Sequence, residues 1–198
     1  MKVAILDYGA GNLHSLAKAL SRTGADVSIE TNASRALAGD AIVLPGVGAF
    51  ALAAESLAPH MNEIRSALDD GYPCLGICLG MQLLFDESEE GEGAGIGFFP
   101  GHVRRLKSKR IPQIGWNDLE DTEGDLFASS SLRTAYFANS FVCEPDDRAT
   151  VRAWATHEND RFVASVAQRS VVGVQFHPEK SSDRGIAFID AFLKRTAI

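Results

Sequence analysis

Residues 73–82 read Pro-Cys-Leu-Gly-Ile-Cys-Leu-Gly-Met-Gln, and at their centre Gly76-Ile77-Cys78-Leu79-Gly80 has the pattern Gly-x-nucleophile-x-Gly. The apolar run Cys74–Ile77 predicts a buried strand, and Met81–Phe85 predicts the beginning of a helix after it. A nucleophile on a sharp turn between strand and helix needs neighbours without side chains, which the two glycines supply. The alternative interpretation is a buried cysteine at a glycine-rich strand end.

Alternating short apolar runs and helical patterns extend through the first half of the chain. The strand-like runs are Val3–Asp7, Val27–Glu30 and Ile42–Leu44. Helical patterns lie between them at 13–20 and after them at 50–68, where Pro59 predicts a break. This alternation predicts an α/β fold with a mostly parallel open sheet and helices on both faces.

The second half has a different character. The acidic, glycine-rich segment Asp86–Gly95 predicts a mobile surface loop. Closely spaced strand-like runs follow: Val103–Leu106, Thr134–Val142, Val151–Thr156, Phe162–Ala167 and Val171–Phe176. They predict a strand-rich additional sheet, closed by a helix over Asp183–Lys194. Because no repeat or linker interrupts the chain, we expect a single domain over residues 1–198.

Composition excludes several classes of function. The net charge of −7 argues against nucleic acid as a partner, and the short basic cluster Arg104–Arg110 is interpreted as a solvated strand and turn. The three cysteines have no paired or zinc-binding spacing, which favours a reducing compartment and no metal. No apolar stretch reaches the ~20 residues that span a bilayer. His14 stands where a dinucleotide fingerprint needs its third glycine, so we expect no cofactor. Together with the cysteine spacing and the lack of a long apolar stretch, this predicts a soluble, cytoplasmic protein.

A second reactive segment lies about a hundred residues downstream, at Gly173-Val-Gln-Phe-His-Pro-Glu179. Pro178 biases His177 toward an extended conformation, and residues two apart in an extended segment project to the same side. His177 and Glu179 can therefore meet, with the carboxylate fixing the tautomer of an imidazole that faces the thiol. A histidine without such a neighbour is more often structural.

A third strand end, Leu44-Pro-Gly-Val-Gly48, belongs to the same sheet. Ligands of open α/β sheets bind outside the carboxyl ends of the strands, so this loop should border Cys78. The backbone N–H groups of Leu79 and Val47 are the candidate oxyanion donors. Gln82, one helical turn after Cys78, is a candidate substrate contact or a partly exposed helix residue.

These motifs resemble a known family. Pro73–Gln82 and Gly173–Glu179 are similar to the signatures of the class I (Triad) glutamine amidotransferases. Within that class the chain is most similar to the glutaminase subunits of imidazole glycerol phosphate synthase. The distinguishing stretches, which extend over most of the chain, are Asp7–Ser15, Pro45–Phe50, Ile114–Asn117 and His177–Ser181.

The resemblance implies roles for these residues. Cys78 would attack the amide carbon of L-glutamine to give a thioester and ammonia, His177 would shuttle the proton, and Glu179 would orient His177. The residues implied to hold glutamine are Gly46, Gly48, Gln82, Ser140 and Phe141. The implied partner is a (β/α)₈-barrel cyclase subunit in a heterodimer that serves histidine biosynthesis. The residues matching that interface are Asn12, Trp116, Asn117, Tyr136 and Lys180.

Two positions depart from the family pattern. Asn139 stands where the family usually has histidine, and Gln113-Ile114 stands where it often has His-Met. Three alternatives stay open: the same chemistry serving another synthase, a free-standing cysteine hydrolase such as a γ-glutamyl hydrolase-like enzyme, and a non-catalytic binding subunit. An intact Cys–His–Glu set argues against the last, because a scaffold has no physical need for all three residues.

Overall fold

The computed structural model describes residues 1–9 and 11–196; Ala10, in the stretch Asp7–Ser15, and residues 197–198 lie outside the described residues. The strands are β1 (Lys2–Leu6), β2 (Asp26–Glu30), β3 (Ala41–Leu44), β4 (Cys74–Ile77), β5 (Glu87–Ser88), β6 (Gly101–Arg105), β7 (Gln113–Asp118), β8 (Thr134–Asn139), β9 (Phe141–Pro145), β10 (Val151–His157), β11 (Asp160–Gln168) and β12 (Val171–Val174). The helices are α1 (Leu13–Ser21), α2 (Ala33–Ala36), α3 (Phe50–Leu57), α4 (Met61–Asp69), α5 (Leu79–Gln82), α6 (Asp125–Ser130) and α7 (Ser182–Thr196).

A seven-stranded sheet in the order β10-β11-β12-β4-β3-β1-β2 forms the centre of the fold. From β12 to β2 neighbouring strands are parallel, whereas β10 and β11 are antiparallel additions at one edge. Gly76 of β4 pairs with Leu44 of β3 on one side and with Gly173 of β12 on the other. The predicted mostly parallel α/β fold is confirmed.

Helices cover both faces of this sheet. Alternate residues of β1 enter different cores: Val3 and Ile5 pack in the cluster that contains α1, α6 and α7, and Ala4 and Leu6 in the cluster that contains α2, α3 and α4. This division follows from the period of two along a strand, and it requires both kinds of position to be apolar. The continuous apolar runs of the sequence are the signature of strands buried in this way.

The predicted strand-rich region of the second half is present as two small sheets, β5-β6-β9 and β7-β8, while β10–β12 extend the main sheet. The single run predicted over Thr134–Val142 is two strands, interrupted at Ser140. Because β8 pairs with β7 and β9 pairs with β6, the chain changes sheets at this residue.

The expectation of a solvated basic cluster is wrong at Arg104, which is buried and holds Asp160 through two hydrogen bonds of 2.7 and 2.9 Å.

Local hydrogen bonding explains two other differences from the predicted elements. The helix after Cys78 ends after one turn at Gln82, because the carbonyls of Leu83 and Leu84 accept from Ile96 and Phe99 rather than from a further helical turn. The acidic segment contains β5 and is attached to the fold: the carboxylate of Glu90 accepts from the N–H of Phe50 at 3.0 Å. The break predicted at Pro59 is a 3₁₀ turn between α3 and α4.

Among the described residues, no helix combines the length and apolarity needed to cross a membrane.

The loops after β3 and β4 touch backbone to backbone. A Cβ atom at Gly80 would stand far inside van der Waals contact with the carbonyl oxygen of Leu44, and one at Gly46 would meet the carbonyl of Ile77 and the Cβ of Cys78. Only glycine permits this approach at either position. The requirement for glycine in the Gly-x-Cys-x-Gly pattern therefore comes from packing against the neighbouring strand end as well as from the turn.

We predict that Gly80→Ala lowers the free energy of unfolding by about 3 kcal/mol, the upper end for overpacking, because its methyl group meets backbone that cannot rotate away. Gly71→Ala is the matched control: Gly71 has φ +91° with open space around its Cβ position, so it should cost only about 1 kcal/mol of backbone strain. Urea unfolding of both variants measures the difference. Equal losses would contradict the packing argument.

Candidate active site

The turn between β4 and α5 presents Cys78 at the carboxyl edge of the main sheet. Cys78 has φ 50° and ψ −105°, a conformation that a side-chain-bearing residue rarely adopts. Its N–H donates to the carbonyl of Val174 at 2.7 Å, which fixes the turn to the end of β12. Leu79 is the first residue of α5, so its N–H has no acceptor within the helix and is available to a ligand.

His177 lies beyond the end of β12 and is 1% exposed. Its N–H donates to the carbonyl of Tyr136 at 2.8 Å, and its Nδ1 lies 2.8 Å from Oε1 of Glu179. Nε2 is buried and has no hydrogen-bond partner among the described residues. Since Nδ1 is engaged by the carboxylate, Nε2 is the nitrogen that remains for proton exchange with a neighbour.

The electrostatics of His177 favour its charged form. Burial alone lowers the pKa of His177, but the interactions of its imidazole with Cys78 and Glu179 outweigh it and raise the pKa from 6.5 to about 9. Cys78 is thus among the groups that stabilise the charged imidazole. The arrangement can therefore hold a thiolate–imidazolium pair.

Two further groups contact the sulfur of Cys78. The thiol lies 3.9 Å from the carbonyl of Ala138, and Nε2 of Gln175 donates to Sγ at 3.5 Å. Gln175 is missing from the residues inferred from sequence. The spacing of two that suggested the pairing of His177 with Glu179 could have found it, because Gln175 stands two residues before His177.

A cavity of about 280 Å³ opens beside Cys78. Its wall contains Gly46, Val47, Gly48, Leu79, Gln82, Ser140 and Phe141 from the predicted set, together with Glu90, Ala138, Asn139 and Lys180. Drug-sized ligands occupy pockets of roughly 300–1,000 Å³, so this volume suits a small molecule such as a single amino acid. The structure thus brings every residue inferred to bind substrate to one cavity.

Gln82 is 4% exposed, so its interpretation as a partly exposed helix residue is wrong. Its Nε2 donates to the carbonyl of Phe141 at 3.2 Å and to Oε1 of Gln175 at 3.3 Å. A carboxamide nitrogen has two hydrogens, and both are used here, which leaves only the oxygen of Gln82 to meet a ligand.

The two departures from the family pattern are neighbours in space. Gln113 and Asn139 face each other across β7 and β8. Nδ2 of Asn139 donates to the carbonyl of Phe141 at 3.1 Å, while Oδ1 of Asn139 and Oε1 of Gln113 are buried without a hydrogen-bond partner in the described part of the chain.

In the part of the chain that the structure describes, no group of three or more histidine, cysteine or acidic residues could hold a metal ion.

Comparison with known proteins identifies the family of the chain. The profile of the family described as glutamine amidotransferase class-I matches residues 4–195. The chain belongs to the class I glutamine amidotransferases. One relative, the imidazole glycerol phosphate synthase subunit HisH of Trichodesmium erythraeum, is 39% identical over 201 residues, which cover 98% of this chain and 94% of that protein. HisH of Corynebacterium diphtheriae is 42% identical over 197 residues, covering 93% and 94%.

Solved structures show the same fold at lower sequence identity. A crystal structure of a glutamine amidotransferase covers 99% of both chains with a TM-score of 0.78 at 20% identity. PurLQS from Thermotoga maritima covers 98% of both chains, also with a TM-score of 0.78 at 20% identity. At this identity the likeness supports the amidotransferase fold alone.

Three of the five predicted interface residues are neighbours at the surface, with Tyr136 between Trp116 and Lys180. Trp116 is 56% exposed and packs edge-on against Tyr136 with ring centroids 6.3 Å apart. Nζ of Lys180 lies 5.7 Å from the centroid of the Tyr136 ring. The other two have structural bonds of their own: Asn12 caps α1 through the N–H of Ser15, and Asn117 donates to the carbonyl of Thr156.

Ser181 connects this surface to the site, which sequence reasoning did not foresee. Its hydroxyl donates to the carbonyl of His177 at 2.6 Å and accepts from the N–H of Tyr136 at 2.9 Å. With the bond from His177 N–H to the Tyr136 carbonyl, three hydrogen bonds fix the backbone of His177 to β8. The position of the imidazole therefore depends on the strand that carries Tyr136.

We predict that the imidazole of His177 titrates near pH 9 and that Glu179→Gln moves this midpoint down, because the variant removes a charge that stabilises the imidazolium. Since the folded-state pKa is raised, the stability that this charge contributes is complete below pH 6.5 and is lost as the pH rises toward 9. NMR of the imidazole C–H signals measures the midpoint. His60→Gln, which removes a histidine from the turn before α4, is the control; an unchanged midpoint in Glu179→Gln would refute the coupling.

Proposed function

We propose that this chain hydrolyses L-glutamine to L-glutamate and ammonia through a thioester at Cys78, and that it delivers the ammonia to a cyclase subunit that makes imidazole glycerol phosphate in histidine biosynthesis. The observation that carries the proposal is the buried His177–Glu179 pair, whose imidazole interacts with Cys78, a residue in the wall of a cavity of amino-acid size. Membership of the class I amidotransferases and about 40% identity to HisH subunits support it.

The first half-reaction forms the thioester. The Cys78 proton passes to Nε2 of His177, and the thiolate attacks the side-chain amide carbon of glutamine. The N–H groups of Leu79 and Val47 stabilise the oxyanion of the tetrahedral intermediate. His177 then returns its proton to the nitrogen, the C–N bond breaks, and ammonia leaves.

The second half-reaction restores the enzyme. Water loses a proton to His177 as it attacks the thioester carbon, and the same oxyanion donors hold the second intermediate. The C–S bond breaks, the proton passes to the Cys78 sulfur, and glutamate leaves. Glutamine and water have become glutamate and ammonia, with side chains of the protein as the only proton carriers.

Glu179 acts by orientation and charge in this scheme. It fixes the Nδ1–H tautomer of His177 and stabilises the imidazolium, but it carries no proton between reacting atoms. Gly46, Gly48, Gln82, Ser140 and Phe141 form the walls that hold glutamine against Cys78. The chain acts as one amidotransferase domain in this proposal.

The partner in this proposal is a (β/α)₈-barrel cyclase that binds over the cavity as the second subunit of a heterodimer. Three large hydrophobic side chains are exposed in β7 and the loop after β3, namely Ile114, Trp116 and Val47. Exposed apolar side chains that include an aromatic residue are typical of a protein–protein interface. Val47 is also in the wall of the cavity, so a partner bound there could receive ammonia without its release to solvent. We place the complex in the cytoplasm, where reducing conditions keep the free thiol of Cys78 reactive.

We predict that Cys78→Ala abolishes glutamate release from glutamine without a large change in stability, since it removes the nucleophile alone. His177→Asn should lower kcat/KM by about 10²–10⁴-fold through loss of the general base. Glu179→Gln should cost less than His177→Asn because Glu179 transfers no proton. Purified variants assayed for glutamate test all three; full activity of Cys78→Ala would overturn the mechanism.

We predict that the cyclase subunit, with its nucleotide ligand, strongly stimulates glutamate release, and that Trp116→Ala weakens the complex by about 2 kcal/mol or more, as expected for an aromatic anchor. Ile29→Ala is the control, since Ile29 is 45% exposed on the edge strand β2. Calorimetric titration with the cyclase measures both affinities. Glutaminase activity indifferent to this partner would keep Cys78 as nucleophile and favour another synthase or a free hydrolase.

A further inference from the structure

Gln175 is a fully buried polar residue beside the reactive sulfur. It lies immediately after β12, is 0% exposed, and its N–H donates to the carbonyl of Ala164 at 2.9 Å. Its side chain reaches Sγ of Cys78 through Nε2 and Nε2 of Gln82 through Oε1. A buried carboxamide is costly unless its hydrogen bonds are made, so this arrangement needs an explanation beyond packing.

The orientation of the Gln175 carboxamide follows from its neighbours. The carbonyl of Phe141 can only accept, so the group of Gln82 that lies 3.2 Å from it must be the amide nitrogen. That nitrogen can only donate, so the atom of Gln175 facing it at 3.3 Å must be the oxygen. The remaining end of Gln175, 3.5 Å from Sγ, is therefore the NH₂ group. One fixed backbone carbonyl thus directs a donor at the sulfur through two side chains.

We propose that Gln175 is a further catalytic residue that stabilises the thiolate of Cys78 by donating a hydrogen bond to its sulfur, held in the donating orientation by Gln82 and the carbonyl of Phe141. The inference rests on the proposed role of Cys78 as nucleophile. A hydrogen bond to a charged acceptor in a buried site is stronger than one to its neutral form, so the donor favours ionisation of the thiol. It also couples the loop that holds glutamine to the nucleophile that attacks it.

The donor acts together with other groups near the sulfur. His177 contributes positive charge at its unpartnered Nε2. Other titratable residues near Cys78 are Tyr8 and Cys143, whose pKa values rise partly through its charge. Glu90 and Lys180 line the same cavity as Cys78. Gln175 differs from all of these because it is neutral at every pH. Its effect should therefore move the pH dependence of the thiol without adding a titration of its own.

The test is the rate of Cys78 alkylation by iodoacetamide as a function of pH, in the absence of glutamine. Only the thiolate reacts, so the midpoint of the profile reports its ionisation. Gln175→Met keeps the size of the side chain and removes the donor; we expect its midpoint to rise by about one pH unit, with alkylation about tenfold slower below the midpoint. Gln175→Glu replaces the donor with a like charge and should raise the midpoint further.

Controls separate this effect from damage to the fold. Ser165→Ala removes another buried polar group, whose side chain lies at a separate small cavity beside Phe127 and Arg195, and should leave the midpoint unchanged. Cys78→Ala gives the background from the other two cysteines, and urea unfolding checks that each variant is folded. If Gln175→Met does not fold, Gln175→Leu, which also removes the donor without adding charge, decides the question.

A folded Gln175 variant with the wild-type midpoint overturns the inference. Because alkylation needs no glutamine, a wild-type chain without glutaminase activity in the presence of the cyclase and its nucleotide ligand would overturn the proposed function separately and leave this measurement valid. A raised midpoint in the neutral variant, with an unchanged midpoint in Ser165→Ala, supports the role of Gln175.

Discussion

The close approach of three parallel strand ends is the constraint on which the rest of the structure depends. β4 lies between β3 and β12, so the turn at Cys78 has the Leu44–Gly48 loop on one side and the segment after Val174 on the other. Residues about a hundred positions apart in sequence meet because parallel strands end at the same edge of the sheet. Glycine at 46 and 80 makes the approach possible, since a side chain at either position would meet backbone of the neighbouring strand end.

The site concentrates polar atoms that the fold does not satisfy. Five buried side-chain atoms lack a hydrogen-bond partner within the described residues, and four of them belong to His177, Glu179, Asn139 and Gln113. Each such atom costs about 1–3 kcal/mol, which a purely structural core would avoid. These acceptor and imidazole atoms are unbonded, whereas both amide hydrogens of Gln82 are used, which separates the groups that hold the site from those left for a ligand or a proton. This contrast argues against the non-catalytic binding subunit.

The sequence predicted the elements whose pattern is local and strong. Val3–Leu6 of β1, β3 and β4 are continuous apolar runs. His177 and Glu179 pair as predicted, although Glu179 lies in a 3₁₀ turn, Pro178–Lys180, rather than in the expected extended segment. The break at Ser140 could not be predicted, because it depends on β8 and β9 joining different sheets. The short helices α2 and α6 were likewise missed, since four to six residues carry too little periodicity to distinguish a helix from a turn.

The strand β7 was missed for a different reason. Its buried position is occupied by the polar Gln113, while Ile114 and Trp116 point outward and are 67% and 56% exposed. This is the reverse of the pattern that identifies a strand with one face on the core. Exposing two large apolar side chains to water is unfavourable, and the proposed partner, by covering them, would remove that cost. The outward position of Ile114 and Trp116, which prevented the prediction of β7 from hydrophobic periodicity, is thus the same feature that supports the proposed interface.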